Sequence, residues 1–150
     1  MEEWKKDILI LIAEDDDDQY ELTSSALGDL RAANCLRRVV DGEELLDYLL
    51  RRGDYKNPSL SPRPNLILLD LNMPRKDGRE ALKEIKAHPE LRQIPITVLT
   101  VSQDERDISK MYSLGANSYI IKPLRYSQFQ ESMKALEVYW FKIAQIPRII

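Results

Sequence analysis

Four short apolar runs, each closing on a residue that phosphate or metal chemistry uses, constrain this chain more than any other feature. Ile8 to Ala13 ends in Glu14-Asp15, Leu66 to Leu69 in Asp70, Ile96 to Leu99 in Thr100, and Tyr119 to Ile121 in Lys122-Pro123. Short β-rich apolar runs are what the buried strands of a parallel sheet look like. In such sheets ligands bind at the carboxyl edge of the strands. Three carboxylates, one hydroxyl and one ammonium are therefore expected at one edge of one sheet. Such a set holds a divalent cation and a phosphoryl group.

Helical patterns fill the intervals. Asp18 to Leu30 carries an apolar face of Tyr20, Leu22, Ala26, Leu27 and Leu30. Cys35 to Val40 reads as a further strand, and Glu43 to Arg52 as a helix with Leu45, Leu46, Leu49 and Leu50 inside. Gly53 to Asn65 holds three prolines and reads as a long loop. Met73-Pro74 and Asp77-Gly78 are turn chemistry. Arg79 to Ala87, Asp104 to Leu114 and a last stretch from Tyr126 to Pro147 read as helices. Strand and helix thus alternate, which predicts a doubly wound α/β sandwich around a parallel sheet. At 150 residues the chain suits one domain, 1–150.

Composition narrows the classes. A net charge of −3 supplies no basic footprint for nucleic acid. No apolar run reaches the ~18 residues of a membrane span, and the charged N-terminus lacks the apolar core of a secretory signal. The single cysteine, Cys35, excludes an internal disulfide, and a reducing cytoplasm fits. Cys35 reads as buried filler, and the single histidine, His88, as an exposed or capping imidazole.

Asp70 is the most informative residue. A carboxylate that ends a buried strand is costly unless paired; it is either a strand-end cap or ion pair, or a nucleophile that forms an aspartyl phosphate. Glu14 and Asp15 open an acidic run, in which Asp17 and Asp18 suit the cap and first turn of a helix. Glu14, Asp15 and Asp70 together form a like-charge cluster that a hard divalent cation relieves. Thr100 and Lys122, unremarkable alone, become candidates for the phosphoryl oxygens as strand ends of the same sheet.

These residues resemble the receiver domain of two-component response regulators. The carrying segments are Ala13-Glu14-Asp15-Asp16, Leu68-Leu69-Asp70-Leu71-Asn72-Met73-Pro74 with Asp77-Gly78, Pro95 to Thr100, and Gly115 to Pro123. The resemblance implies a flavodoxin-like fold, a five-stranded sheet of order 2-1-3-4-5 with five helices. It implies that Asp70 accepts a phosphoryl group from a sensor histidine kinase, with Mg²⁺ or Mn²⁺ held by Asp15, Glu14, Asp70 and the Asn72 carbonyl. Thr100 and Tyr119 match the pair that reorients on phosphorylation. Lys122 matches the lysine that contacts the phosphoryl group, and its bond to Pro123 is expected to be cis. Such a protein is a signalling switch whose chemistry is its own phosphorylation and dephosphorylation.

The Pro-rich loop, the Asp70-to-Gly78 segment and the aromatic tail are similar to small stand-alone regulators that serve cyanobacterial phytochromes. That likeness implies a phytochrome kinase and a homodimer. Two departures matter. Val101 stands where a small residue is usual, which predicts slow autodephosphorylation. The acidic pair is Glu-Asp, so Asp15 ranks above the longer Glu14 as a ligand. Along the last helix Tyr126, Phe129, Met133, Leu136, Trp140 and Ile143 are expected to face the core. Val138, Tyr139, Phe141 and Ile146 remain, as a chain end folded onto its own domain or as a dimer surface within an extension of about 138–150.

Two other classes fit these residues less well. An aspartyl-phosphate phosphatase or mutase places its nucleophile after the first strand as Asp-x-Asp-x-Thr/Val, which Asp15-Asp16-Asp17-Asp18-Gln19 does not match. A pseudo-receiver that only dimerises or binds partners is opposed by the intact Asp70, Thr100 and Lys122.

Overall fold

Each apolar run forms a strand in the computed structural model, which describes residues 8–147. The N-terminal segment considered for a secretory signal and the last three residues of the expected extension lie outside the described residues. Strands β1 (Ile10–Ala13), β2 (Leu36–Val39), β3 (Leu66–Leu69), β4 (Ile96–Thr100) and β5 (Ser118–Ile121) pair in parallel in the order β2-β1-β3-β4-β5. The described residues form six α-helices: α1 (Asp17–Ala26), α2 (Gly28–Ala32), α3 (Gly42–Leu50), α4 (Gly78–Ala87), α5 (Glu105–Leu114) and α6 (Tyr126–Val138).

Both sheet faces are covered, which is why β1, β3 and β4 are buried along their whole length. Successive side chains go to opposite layers, as the strand period requires. Leu11, Ile67, Leu69 and Val98 pack with Leu45, Leu49, Leu82, Ile85 and Met111 on one side. Ile10, Ile12, Leu66, Leu68 and Leu99 pack with Leu27, Leu30, Phe129, Met133 and Leu136 on the other. Each fully buried Leu or Ile contributes about 1.5–3 kcal/mol of transfer free energy. Cys35 is buried, and His88 caps the end of α4 with its Nδ1 accepting from the Glu90 N–H at 3.2 Å.

Several boundaries differ from the sequence expectation. The first helix is broken at Leu27, whose N–H is shared between the Thr23 and Ser24 carbonyls before Gly28 opens α2. A glycine at that point weakens continuation of the first helix. The α1 cap is Asp16, which accepts from the Gln19 N–H at 2.9 Å, while Asp17 and Asp18 supply first-turn charge. The Pro-rich loop is ordered by two 3₁₀ turns and by the Tyr48 hydroxyl, which donates to the Pro62 carbonyl at 2.7 Å.

The last helix stops at Val138 and passes into a π-helical turn, Tyr139–Ile143, with the Ala144 N–H on the Tyr139 carbonyl at 2.7 Å. A π turn shifts the phase of the helix face. Trp140 and Phe141 pack in part against their own core, while Ile143 is 64% exposed and Tyr126 38%, against the expected buried face. Val138 and Tyr139 are exposed, and Ile146 is half-buried.

Candidate functional site

Sheet register builds the site. Ala13 pairs with Leu69 across β1 and β3, so the next residues, Glu14 and Asp70, stand side by side. The ladder runs one step further: the Glu14 N–H donates to the Val39 carbonyl at 3.0 Å and the Asp70 N–H to the Ala13 carbonyl at 3.1 Å. Asp15 starts the turn into α1. Carboxylate oxygens from Glu14, Asp15 and Asp70 all lie within 4.8 Å of one another. Glu14 is buried, Asp70 half-buried and Asp15 exposed.

Lys122, the residue after β5, completes the cluster. Its N–H donates to the Thr100 carbonyl at 2.7 Å. Its ammonium lies 2.8 Å from Glu14 Oε1 and 3.4 Å from Gln19 Oε1. Burial pushes the Glu14 carboxyl above the ordinary range; Lys122 pulls it back and the Asp70 charge adds to the rise. Burial also raises Asp15, with the neighbouring Glu14 charge as a lesser cause. An all-oxygen donor set with surplus negative charge fits a hard cation of the Mg²⁺ or Mn²⁺ kind. The sequence ranking of Asp15 over Glu14 meets a structure in which Glu14 is the buried member, paired to the lysine. The loop after β3 turns at once, and the Asn72 N–H donates to Asp70 Oδ1 at 3.3 Å.

One expectation is overturned. No peptide bond among the described residues is cis, so the Lys122–Pro123 bond is trans. The trans form is favoured by about 0.5–1 kcal/mol at X–Pro bonds, and with it Lys122 already reaches Glu14.

Thr100 is fully buried, and its Oγ1 accepts from the Ser102 N–H at 3.4 Å. The Tyr119 hydroxyl donates to the Ser102 carbonyl at 3.0 Å. The two expected switch residues therefore meet at Ser102, which the sequence did not single out. Ser102 Oγ in turn donates to Asp107 at 2.8 Å, and Asp107 receives a two-pronged Arg79. No local pattern marks this set, because its members are polar residues on three different elements. Val101 is 64% exposed and lines an apolar groove with Leu22, Lys122, Pro123, Leu124 and Tyr126.

Comparison with known proteins agrees with this arrangement. The family described as response regulator receiver domain matches residues 10–134. Response regulator Rcp1 of Synechocystis sp. is 38% identical over 139 residues, covering 93% of this chain and 92% of that protein. The crystal structure of the phosphorylated cyanobacterial phytochrome response regulator RcpA superposes with a TM-score of 0.87 at 40% identity, covering 94% of this chain and 99% of that one. The crystal structure of the Mn²⁺-bound form of response regulator Rcp1 does so with a TM-score of 0.83 at 35% identity, again over 94% and 99%.

Proposed function

This chain belongs to the response regulator receiver domain family, and from that premise we propose that Asp70 is its phosphoacceptor, charged by a phytochrome-type sensor histidine kinase. The observation that carries the reading is the convergence of Glu14, Asp15 and Asp70 within 4.8 Å at the carboxyl edge of the sheet, with the Lys122 ammonium 2.8 Å from Glu14. In the transfer the P–N bond of a phosphohistidine whose other ring nitrogen carries a proton breaks as an Asp70 carboxylate oxygen bonds to phosphorus; the ring keeps that proton and the bonding electron pair, leaving an acyl phosphate and a neutral imidazole.

Glu14, Asp15, Asp70 and the Asn72 carbonyl would hold the divalent cation. When bound, that ion neutralises charge on the transferring phosphoryl oxygens. Lys122 leaves Glu14 to pair with a phosphoryl oxygen, and the Thr100 hydroxyl donates to another. Tyr119 then settles against the relocated loop, changing the surface at α5 and β5. The relatedness to RcpA and Rcp1 supports the phytochrome assignment. The chemistry of the chain is confined to gaining and losing its own phosphoryl group, and its output is a changed protein-binding surface. We assign the exposed Val138 and Tyr139 to a homodimer contact.

Intact-mass spectrometry after incubation with acetyl phosphate and Mg²⁺ tests the reading. One added phosphoryl group that requires Mg²⁺ and is absent in Asp70→Asn is expected. Absence of the group in the native sequence, both with acetyl phosphate and with a phosphorylated histidine kinase, would overturn it in favour of a pseudo-receiver.

A further inference from the structure

Ser102 uses all its polar groups to join the two expected switch residues to a distant ion pair. Its N–H donates to Thr100 Oγ1 at 3.4 Å, and its carbonyl accepts from the Tyr119 hydroxyl at 3.0 Å. Its own hydroxyl donates to Asp107 Oδ2 at 2.8 Å. Asp107, on α5, receives Arg79 Nε at 2.9 Å and Nη2 at 2.8 Å. This is the two-pronged carboxylate–guanidinium geometry that fixes direction as well as distance. Both side chains are largely shielded, 25% and 19% exposed, so solvent weakens the pair less than an exposed one.

The other end of this chain of contacts is anchored to the acceptor strand. Arg79 follows Gly78, whose N–H donates to the Leu71 carbonyl at 3.0 Å. A side chain on Gly78 would overlap the Asp70 carbonyl oxygen. The start of α4 is thus pressed against the backbone of Asp70 and Leu71. From there Arg79 reaches Asp107, Asp107 holds Ser102, and Ser102 holds Thr100. The acceptor arm and the hydroxyl arm of the site are tied together through side chains that do not belong to the acidic cluster. Ser102 also occupies an acceptor position of the Thr100 hydroxyl, which leaves that hydroxyl's hydrogen to be donated elsewhere.

We propose that Arg79 and Asp107 are positioning residues for phosphoryl transfer at Asp70, acting through Ser102 to hold the Thr100 hydroxyl and Tyr119 in place. The inference rests on Asp70 being the phosphoacceptor. Without the pair, Ser102 keeps its backbone contacts but loses the tie that fixes its loop, and Thr100 no longer meets the incoming phosphoryl group in a set geometry.

The experiment follows the rate of phosphoryl gain from acetyl phosphate with Mg²⁺ by intact mass, with thermal unfolding of each variant alongside. Arg79→Gln and Asp107→Asn are each expected to slow the gain about tenfold. The double variant is expected to be no slower than either single one, because the two residues act as one unit. Ser102→Ala is expected to give the same loss, with no further effect of Arg79→Gln in that background. Asp107→Glu, which keeps the charge and both acceptor oxygens, restores most of the rate. The double variant removes both charges of the shielded pair and leaves only the Asp77 carboxylate, 3.7 Å from the Arg79 guanidinium and 36% exposed, without that cation, so it serves if a single variant fails to fold. Rates within about twofold of the native sequence in folded variants overturn the proposal. So does an equal effect of Arg79→Gln with and without Ser102, which marks a merely structural pair. A native protein that gains no phosphoryl group from acetyl phosphate or from a phosphorylated histidine kinase overturns the phosphoacceptor reading, and this inference falls with it.

Discussion

At the level of single residues, the Glu14–Lys122 pair governs the electrostatics of the site. Both side chains are more than nine-tenths buried, and removing one partner of such a pair is more costly than the pair is worth. Without metal, the Glu14 and Asp15 carboxyls hold protons more tightly in the folded than in the unfolded chain. They favour folding in acid, and that contribution is lost as pH rises through the raised pKa range. Added Mg²⁺ should reverse the loss near neutral pH, by about 2.7 kcal/mol at a hundredfold excess over its Kd. The gain should shrink in mild acid, where protons compete for the ligands. Thermal unfolding with and without Mg²⁺ at the two pH values checks this; an equal gain at both counts against it. Val101 acts on a different step. It lines the groove beside Lys122, where its bulk is expected to hinder the water that would hydrolyse an acyl phosphate at Asp70. Val101→Ala should shorten the phosphoryl lifetime about tenfold, equivalent to ~1.4 kcal/mol of barrier. Decay of the mass shift after donor removal measures it, and an unchanged lifetime assigns the control of hydrolysis elsewhere.

Among elements, the start of α4 is a joint sensitive to a small change. Gly78 lets the helix close onto Asp70, and an added methyl meets backbone that cannot give way. Gly78→Ala should lower stability by about 1–3 kcal/mol and slow phosphoryl gain together. Gly28, at the start of α2, is the contrast: a Cβ there meets nothing within 4 Å, and Gly28→Ala should raise stability by about 0.5–1 kcal/mol. Chemical denaturation of both variants separates the two; equal signs contradict the close-approach argument. Asp77-Gly78 is visible in the sequence as turn chemistry, but the reason for the glycine is contact with a strand end. The same division runs through the chain. β1, β3 and β4 are legible as apolar runs because both of their faces are covered, and their terminal Glu14, Asp70 and Thr100 follow from strand ends alone. The break at Leu27 and the π turn at Tyr139–Ile143 depend on single shared or shifted hydrogen bonds, which leave the apolar period nearly intact. Arg79 and Asp107 lie 28 positions apart, and a polar pair at that range has no sequence period.

For the molecule as a whole, the acidic edge and the aromatic end of the chain are parts of one signal path only if the end binds something. Phe141 and Trp140 settle part of the choice, because both lean on the core formed by β1, β3 and α6. What stays available is narrower than the full extension: Val138 at 37%, Tyr139 at 52% and Ile143 at 64% exposure, with Tyr139 lining a groove together with Ser118, Ile120 and Trp140. β5 is an edge strand, and it also carries Tyr119 and leads directly into Lys122. A second copy seated on this surface would therefore rest on the strand that carries the proposed switch residue Tyr119, which would couple pairing to phosphorylation without a separate relay. Deleting the tail is a poor test, since it strips Trp140 and Phe141 from the core. Val138→Lys with Tyr139→Lys leaves that packing in place and puts like charges across a two-fold contact. Light scattering after size exclusion should show the native sequence as a dimer and the double variant as a monomer, with phosphoryl gain at Asp70 retained. A double variant that still pairs moves the contact elsewhere. One that loses phosphorylation as well places these two side chains in the path to Asp70.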